Sequence, residues 1–401
     1  MDEGRQELWL SLLSLLIISI NAVMFWRRGG RDARWSLRLL LMGLMLCFLL
    51  SPGSVLVLLL SVCCSVVHFS AGKEEVLLPA QGRAVLITGC DSGFGLNLAK
   101  MLAMAGMKVY AGVLDGSGPG AEELRTISSS QLTVLQFDIT DLNQTYEAHQ
   151  LIKSQIGETG LWGLVNNAGV LGYTCDGEIL PMRILRKIIE VNFISGVDVT
   201  RVFLPMIRQA KGRIVTVSSL AGEVPFPGFA AYGASKAALT LYFGVMRQEL
   251  ARWGVKVAII QPGGFKTSNQ EQWAKIQKEI FSTLPPEVTG AYGEEYICSM
   301  QHRLSNMTAH ACTNFAPVLH AIKHALLSET PRPFYHPGPT AWAFPFMHRF
   351  CPTWLFDIIF PHMLYQIDYF NIWIESLKGH SSINQVFTWN ITSFFHNVAS
   401  M

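Results

Sequence analysis

Ala84-Val-Leu-Ile-Thr-Gly-Cys-Asp-Ser-Gly-Phe-Gly95 decides how this chain is read. Ala84 to Ile87 is a short apolar run of strand character. Thr88, Gly89, Ser92, Gly93, Phe94 and Gly95 follow in a glycine-rich turn, and Leu96–Ala105 reads as a helix. That order of strand, glycine turn and helix gives a glycine motif its meaning. Glycines admit the backbone close to a pyrophosphate, and the helix N-terminus offers amide donors and a positive dipole end. A second apolar run, Lys108–Leu114, completes the first strand–helix–strand unit.

Asp115 stands twenty residues after Gly95, just past that second run. A carboxylate there accepts hydrogen bonds from ribose hydroxyls and repels a 2′-phosphate. No Lys or Arg lies between Thr88 and Gly95 to hold such a phosphate. Both features point to NAD rather than NADP.

The rhythm continues. Leu132–Phe137 ends at Asp138, placed to meet the adenine edge. Leu161–Val165 ends at Asn166-Asn167-Ala168-Gly169, Arg213–Ser218 at Ser219, and Val255–Ile260 at Gln261-Pro262-Gly263-Gly264. Strands separated by helices imply an α/β fold with a parallel sheet and right-handed crossovers. Functional groups then gather at the strand C-terminal ends, where all these motifs sit. Pro331–Pro337 is expected to add an edge strand.

Tyr232-Gly-Ala-Ser-Lys236 places a phenol and an ammonium four residues apart, on one helical face. Ser219 is thirteen residues upstream of Tyr232. Together these groups can move a proton to or from a carbinol. A free phenol titrates near pH 10, too high for a base at neutral pH. Lys236 beside it favours the phenolate.

The 401 residues suffice for one large core plus additions. Only 15% are charged, against about 25% in soluble domains, so part of the chain is expected in lipid. A net charge of +2 argues against nucleic acid. The eight cysteines form no CxxC or other regular framework, as expected of free thiols in a reducing compartment rather than disulfides or metal ligands.

Residues 1–71 read as a membrane-anchor region. Leu8–Trp26 is an uncharged run of 19 residues, near the roughly 20 that span a bilayer. The basic loop Arg27–Arg38 belongs in the cytosol by the positive-inside rule. The second run, 39–69, is broken at Ser51-Pro52-Gly53. One tilted helix there would put the body of the protein in the lumen; a turn at Pro52-Gly53 would return it to the cytosolic side. Turn chemistry and cysteine usage favour the second. Residues 82–340 are assigned to a catalytic domain and 341–401 to an aromatic-rich segment and tail, with Thr340–Phe370 forming a lid or a membrane-apposed stretch.

TGxxxGxG at Thr88–Gly95, NNAG at Asn166–Gly169, Asn192, Ser219, YxxxK at Tyr232–Lys236 and Pro262-Gly263 with Thr267 together resemble the short-chain dehydrogenase/reductase family, over roughly Arg83 to Ser268. The resemblance implies a Rossmann-like doubly wound parallel sheet. It also implies NAD-dependent oxidation of a secondary alcohol by a relay of Tyr232, Lys236, Ser219 and Asn192. Tyr232 would be the base, Ser219 would hold the carbinol oxygen, and Asn192 would support Lys236 through a water. The nicotinamide would be oriented by Pro262, Gly263 and Phe265, with Thr267 on its carboxamide. Longer stretches, Gly118–Arg125 and Gln261–Phe265 among them, resemble the family's 17β-hydroxysteroid branch. Gly89–Gly95 leans to its 11β-hydroxysteroid and retinol branches, which stay open. A non-catalytic nucleotide-binding scaffold is the remaining alternative; its signature, a lost Tyr, Lys or Ser, is not found.

Leu171, Pro225, Phe226, Phe229, Phe265 and Trp273 are expected to line an apolar pocket suited to a rigid steroid. Asn269–Leu284 and Tyr292–Ser305 read as helices that shape it. A homodimer and a place in the endoplasmic reticulum membrane complete the expectation.

Overall fold

The computed structural model describes residues 76–127, 131–266, 271–299, 311–338 and 341–365. Seven parallel strands run in the order β3-β2-β1-β4-β5-β6-β7. They are β1 (Ala84–Ile87), β2 (Lys108–Val113), β3 (Leu132–Gln136), β4 (Gly163–Asn166), β5 (Arg213–Val217), β6 (Lys256–Ile260) and β7 (Phe334–Tyr335). The expected runs hold to within a residue or two, and the edge strand expected from Pro331–Pro337 is the short β7, paired with β6. The α/β Rossmann-like sheet expected from the sequence is therefore present.

These strands are mostly apolar because helices cover both faces. Side chains alternate across the sheet. Val85, Ile87, Val109, Val165 and Val215 pack on α1 (Gly93–Met104) and α9 (Ala316–Leu327). Leu86, Tyr110, Leu164, Ile214 and Ile259 face α3 (Leu142–Ile156), α5 (Ser195–Gln209) and α6 (Ala230–Glu249). The helix α2 (Pro119–Thr126) links β2 to β3. After β3 the chain crosses to the other side of β1, which pairs with both β2 and β4. The ends of β1 and β4 thus flank the point where strand order reverses, the usual place for a ligand in such sheets.

Between β4 and β5, α4 (Met182–Ile189) runs into a π-turn at Glu190–Ile194 and then α5. Beyond β6 lie α7 (Glu271–Thr283), α8 (Pro286–Tyr292) and a helical stretch at 294–299. The helix expected over Tyr292–Ser305 starts two residues later, after Gly293 with φ +79°, and its part beyond residue 299 lies outside the described residues. The chain ends its described part with α10 (Ala343–Phe350) and α11 (Thr353–Tyr365).

A second unit contributes Val76–Leu77 and Ser328–Arg332 to the described residues. Leu77 and Ser328 form an antiparallel bridge, and the Glu329 amide donates to the Val76 carbonyl at 3.1 Å. Among the described residues no helix is long and apolar enough to cross a membrane. The runs 8–26 and 39–69 lie outside the described residues. Cys90, Cys175, Cys298, Cys312 and Cys351 carry free thiols.

Candidate active site

Thr88, at the end of β1, ties the glycine turn to the end of β4. Its Oγ1 accepts from the amides of Asn167 and Ala168, each at 3.1 Å. The Asn167 Nδ2 donates back to the carbonyls of Thr88 (2.9 Å) and Gly89 (3.0 Å). A side chain at Gly95 would collide with this arrangement, its Cβ falling 2.2 Å from the Gly89 oxygen and 2.6 Å from Asn167 Nδ2. Gly89 itself has φ +69° and lies so near Ala168 that a Cβ would stand 2.7 Å from its Cα.

Ser92 is the N-cap of α1, and its side chain makes no capping bond. The first-turn amides therefore remain available to an anion. The Phe94 ring turns away from the turn into a cluster with Phe265 and Phe315, at centroid distances of 5.4 and 5.1 Å. Asp115 is exposed just beyond β2, with Oδ1 accepting from the Ser117 amide at 2.9 Å. Asp91, inside the glycine turn, holds that strand end in place: its Oδ1 accepts from the amides of Leu114 (2.9 Å) and Asp115 (3.1 Å). Asp91 is a supporting position that the sequence reading passes over. Its one signal is an acid set among glycines. Asp138 Oδ1 accepts from the Thr140 amide and hydroxyl, both at 2.8 Å, closing a turn at the end of β3.

A tight turn at Gly95, uncapped amides on α1 and an exposed carboxylate past β2 fit the pyrophosphate and ribose of a dinucleotide.

Tyr232, Ser235 and Lys236 project from the first turns of α6. Lys236 is 4% exposed; its Nζ donates to the Val217 carbonyl at 3.0 Å and stands 5.7 Å from the Tyr232 ring centroid. Burial pushes this ammonium down to about 8. Burial also pushes the Tyr232 phenol above its ordinary range, against which a hydrogen bond with Ser219 pulls it down. The lysine was expected to lower the phenol. Instead both members are desolvated together, and desolvation disfavours the charged form of each. A proton held by this pair is thus weakly held on the nitrogen and firmly held on the oxygen.

Ser219 follows β5 and opens a single 3-10 turn, Leu220–Gly222, with its Oγ accepting from the Ala221 amide at 3.2 Å. Asn192 lies in the π-turn and is 2% exposed. Its Oδ1 accepts from the Val170 amide (2.7 Å), and its Nδ2 donates to the Val170 carbonyl (2.9 Å) and to Ser235 Oγ (3.0 Å). Ser235 Oγ in turn donates to the Tyr232 carbonyl at 2.7 Å. Ser235 thus joins the π-turn to the catalytic helix, a role its place between Tyr232 and Lys236 does not announce. Asn192 Oδ1 and Lys236 Nζ converge over Gly169, where a Cβ would meet them at 3.1 and 3.3 Å.

The Pro262 carbonyl accepts from the Leu220 amide at 3.1 Å, and the Gly263 amide donates to Pro337 at 3.1 Å. Phe265 pairs with Cys312 in a parallel bridge. Thr267 lies outside the described residues; Trp273 falls on α7, with its side chain outside them. Leu171 packs in a cluster with Ile184, Ile188, Ile276 and Ile280. The Tyr296 hydroxyl donates to Asp176 Oδ2 (2.6 Å), the Tyr292 hydroxyl to Glu178 Oε2 (3.0 Å), and Arg183 Nε to Glu279 Oε1 (3.0 Å). These bonds fasten the segment after β6 over the 173–183 segment. Phe229 stands 6.3 Å from the Tyr232 ring and 6.0 Å from Phe226.

Residues 83–278 match the family model described as short chain dehydrogenase. The chain is 41% identical over 361 residues to estradiol 17-beta-dehydrogenase 2 of Mus musculus, covering 89% of this chain and 94% of that one. It is 45% identical over 281 residues to 11-beta-hydroxysteroid dehydrogenase type 2 of Bos taurus, covering 69% and 70%. A short-chain dehydrogenase/reductase of Burkholderia phymatum, solved in complex with NAD, shares the fold with a TM-score of 0.55 at 20% identity, covering 65% and 89%. The chain is an oxidoreductase belonging to the short-chain dehydrogenase family.

Proposed function

We propose that this enzyme oxidises the 17β-hydroxyl of a steroid to a ketone, with NAD as hydride acceptor, while anchored in the endoplasmic reticulum membrane. The observation that carries the chemistry is the pair of half-buried Tyr232 and buried Lys236 beside Ser219, on the same sheet edge as a glycine turn whose Asp91 holds the Asp115 amide. NAD, when bound, supplies the acceptor for the hydride leaving the carbinol carbon. Thr88, Gly89, Ser92, Gly93, Gly95, Asn167, Ala168 and Gly169 would hold it, with Asp115 on the ribose side and Asp138 near the adenine. Pro262, Gly263, Phe265 and Thr267 would complete the nicotinamide end.

Ser219 donates to the carbinol oxygen and orients it towards Tyr232. Tyr232 removes the hydroxyl proton as the carbonyl forms. Lys236 stabilises the phenolate while that charge exists, and Asn192 fixes Val170 and Ser235 around the pair. Leu171, Phe226, Phe229 and Trp273 would form the apolar side of the site, which suits a substrate with few polar handles. The similarity to 11-beta-hydroxysteroid dehydrogenase type 2 supports a second reading, an 11β-hydroxyl as the group oxidised.

The outer face of α6 leaves Leu241 and Val245 exposed, which supports a two-fold homodimer. The uncharged runs 8–26 and 39–69 support the anchor.

A panel of 17β- and 11β-hydroxy steroids and retinol, each with NAD and NADP, tests the reading. The purified protein is expected to reduce NAD fastest with a 17β-hydroxy steroid. Removing one acid–base group costs roughly a hundred- to ten-thousand-fold in rate, and Tyr232→Phe should lose that much. Equal turnover by the phenylalanine variant would refute the mechanism; preference for the 11β-alcohol would select the second reading.

A further inference from the structure

The helices α10 and α11 pack against the loop that follows Ser219. Leu220 and Val224 of that loop are buried with Phe356 and Phe360 of α11, and Phe226, Phe344, Met347 and Cys351 close around them. Phe360, 1% exposed, is the hub. Its ring centroid lies 4.9 Å from Phe226, 5.1 Å from Phe344 and 4.5 Å from Phe356. Phe226 touches Phe229 at 6.0 Å, and Phe229 touches Tyr232 at 6.3 Å. Rings in edge and stacked contact therefore run without a gap from the helical hairpin to the phenol. At the surface Arg349 pairs with Glu223 at 3.6 Å.

The 219–229 loop has little internal structure of its own. It contains one 3-10 turn and few local bonds, among them Gly222 to Ser219 and Val224 to Leu220, each at 3.0 Å. The turn at Leu220–Gly222 is held against α6, where a Cβ on Gly222 would stand 2.7 Å from the Lys236 carbonyl carbon, and against the end of β6 by the bond from the Leu220 amide to the Pro262 carbonyl. The apolar side chains Leu220, Val224 and Phe226 pack on the hairpin. The hairpin lies beyond the residues matched by the family model, which end at 278.

We propose that Phe360 is a positioning residue for alcohol oxidation: through Leu220, Val224 and Phe226 it holds the loop so that the Ser219 hydroxyl meets Tyr232 and the carbinol oxygen. This rests on the reading above that Ser219 and Tyr232 act on an alcohol. The dinucleotide side is built from β1, the glycine turn and the end of β4, none of which Phe360 touches in these ring contacts. Loosening the hairpin should therefore slow hydride transfer and leave NAD binding alone.

The test compares full-length wild type with Phe360→Ala, Phe360→Leu and Phe344→Leu. Misplacing a reacting group by an ångström costs up to roughly a hundred-fold, so kcat for the steroid alcohol should fall about ten- to a hundred-fold in Phe360→Ala. The two leucine variants should fall by less. NAD affinity, read by titration of protein fluorescence, should be unchanged. The isotope effect on kcat with substrate deuterated at the carbinol carbon should rise as hydride transfer becomes limiting. An unchanged kcat, or a loss of kcat matched by loss of NAD affinity, would overturn the proposal. If Phe360→Ala does not accumulate as folded protein, the same criteria applied to the two leucine variants decide. Wild type that oxidises no hydroxysteroid would refute the functional reading instead. Active wild type with equally active variants refutes only the positioning role.

Discussion

The ammonium of Lys236 sits where water cannot solvate it, between the Val217 carbonyl and the Tyr232 ring. Its proton leaves as pH rises through about 8. Losing one proton leaves the pair either as amine beside phenol or as ammonium beside phenolate, the second being the form that acts as base, so the titration belongs to the pair. Alcohol oxidation needs the form with that proton gone; ketone reduction needs it present. We therefore expect kcat/KM for oxidation to rise about tenfold per pH unit below about 8 and to level off above it. Reduction should fall across the same range, and a flat oxidation profile from pH 6 to 9 would contradict the assignment. Asp115 governs a different choice. Asp115→Asn removes the charge that opposes a 2′-phosphate, and kcat/KM with NADP should rise about tenfold, a difference of ~1.4 kcal/mol. Steady-state kinetics with both dinucleotides would show it. Tyr232, Lys236, Ser219 and Asp115 were readable because their chemistry depends on residue type at a fixed place along the chain. Asp91 and Ser235 were not, because each acts by holding another residue's backbone, and only the folded chain shows which backbone that is.

Elements differ in the same way. Short strands flanked by glycine and asparagine turns were plain, since a sheet covered on both faces needs unbroken apolar runs. Gly95 marks the tightest point between two of these elements. In Gly95→Ala the added methyl would meet a backbone oxygen at 2.2 Å, and neither α1 nor the end of β4 can retreat without the other. Overpacking of this kind costs about 1–3 kcal/mol. The variant should melt at lower temperature and lose NAD binding more completely than it loses fold, as circular dichroism and dinucleotide titration would separate. The π-turn at Glu190–Ile194 left no mark in the sequence, because the residues around it keep helical patterning on both sides. The helical hairpin of α10 and α11 reads in the sequence only as an aromatic lid or membrane-apposed stretch. Its rings find their partners more than a hundred residues away, in the loop after Ser219, and no local pattern carries that pairing.

At the scale of the molecule, the face of α6 turned away from the sheet carries Leu241, 72% exposed, and Val245. Leu241→Glu leaves the monomer's core untouched and places a charge at the centre of the proposed two-fold contact. Light scattering should report a dimer for wild type and a monomer for the variant, with melting of the variant shifted to lower temperature. The sheet's other end holds a feature with wider reach. The chain leaves the dehydrogenase frame at Lys266 and rejoins it at Cys312, where the Lys266 amide donates to the Cys312 carbonyl and the Cys312 amide to Gly264, both at 3.1 Å. Departure and return thus share one doorway. Doubling the length of a loop closed in this way costs only about 0.6 kcal/mol. Length added between α7 and α8 therefore costs the closure at Lys266 and Cys312 little, and a segment that shapes the substrate side can vary while the strand ends that carry the chemistry keep their places.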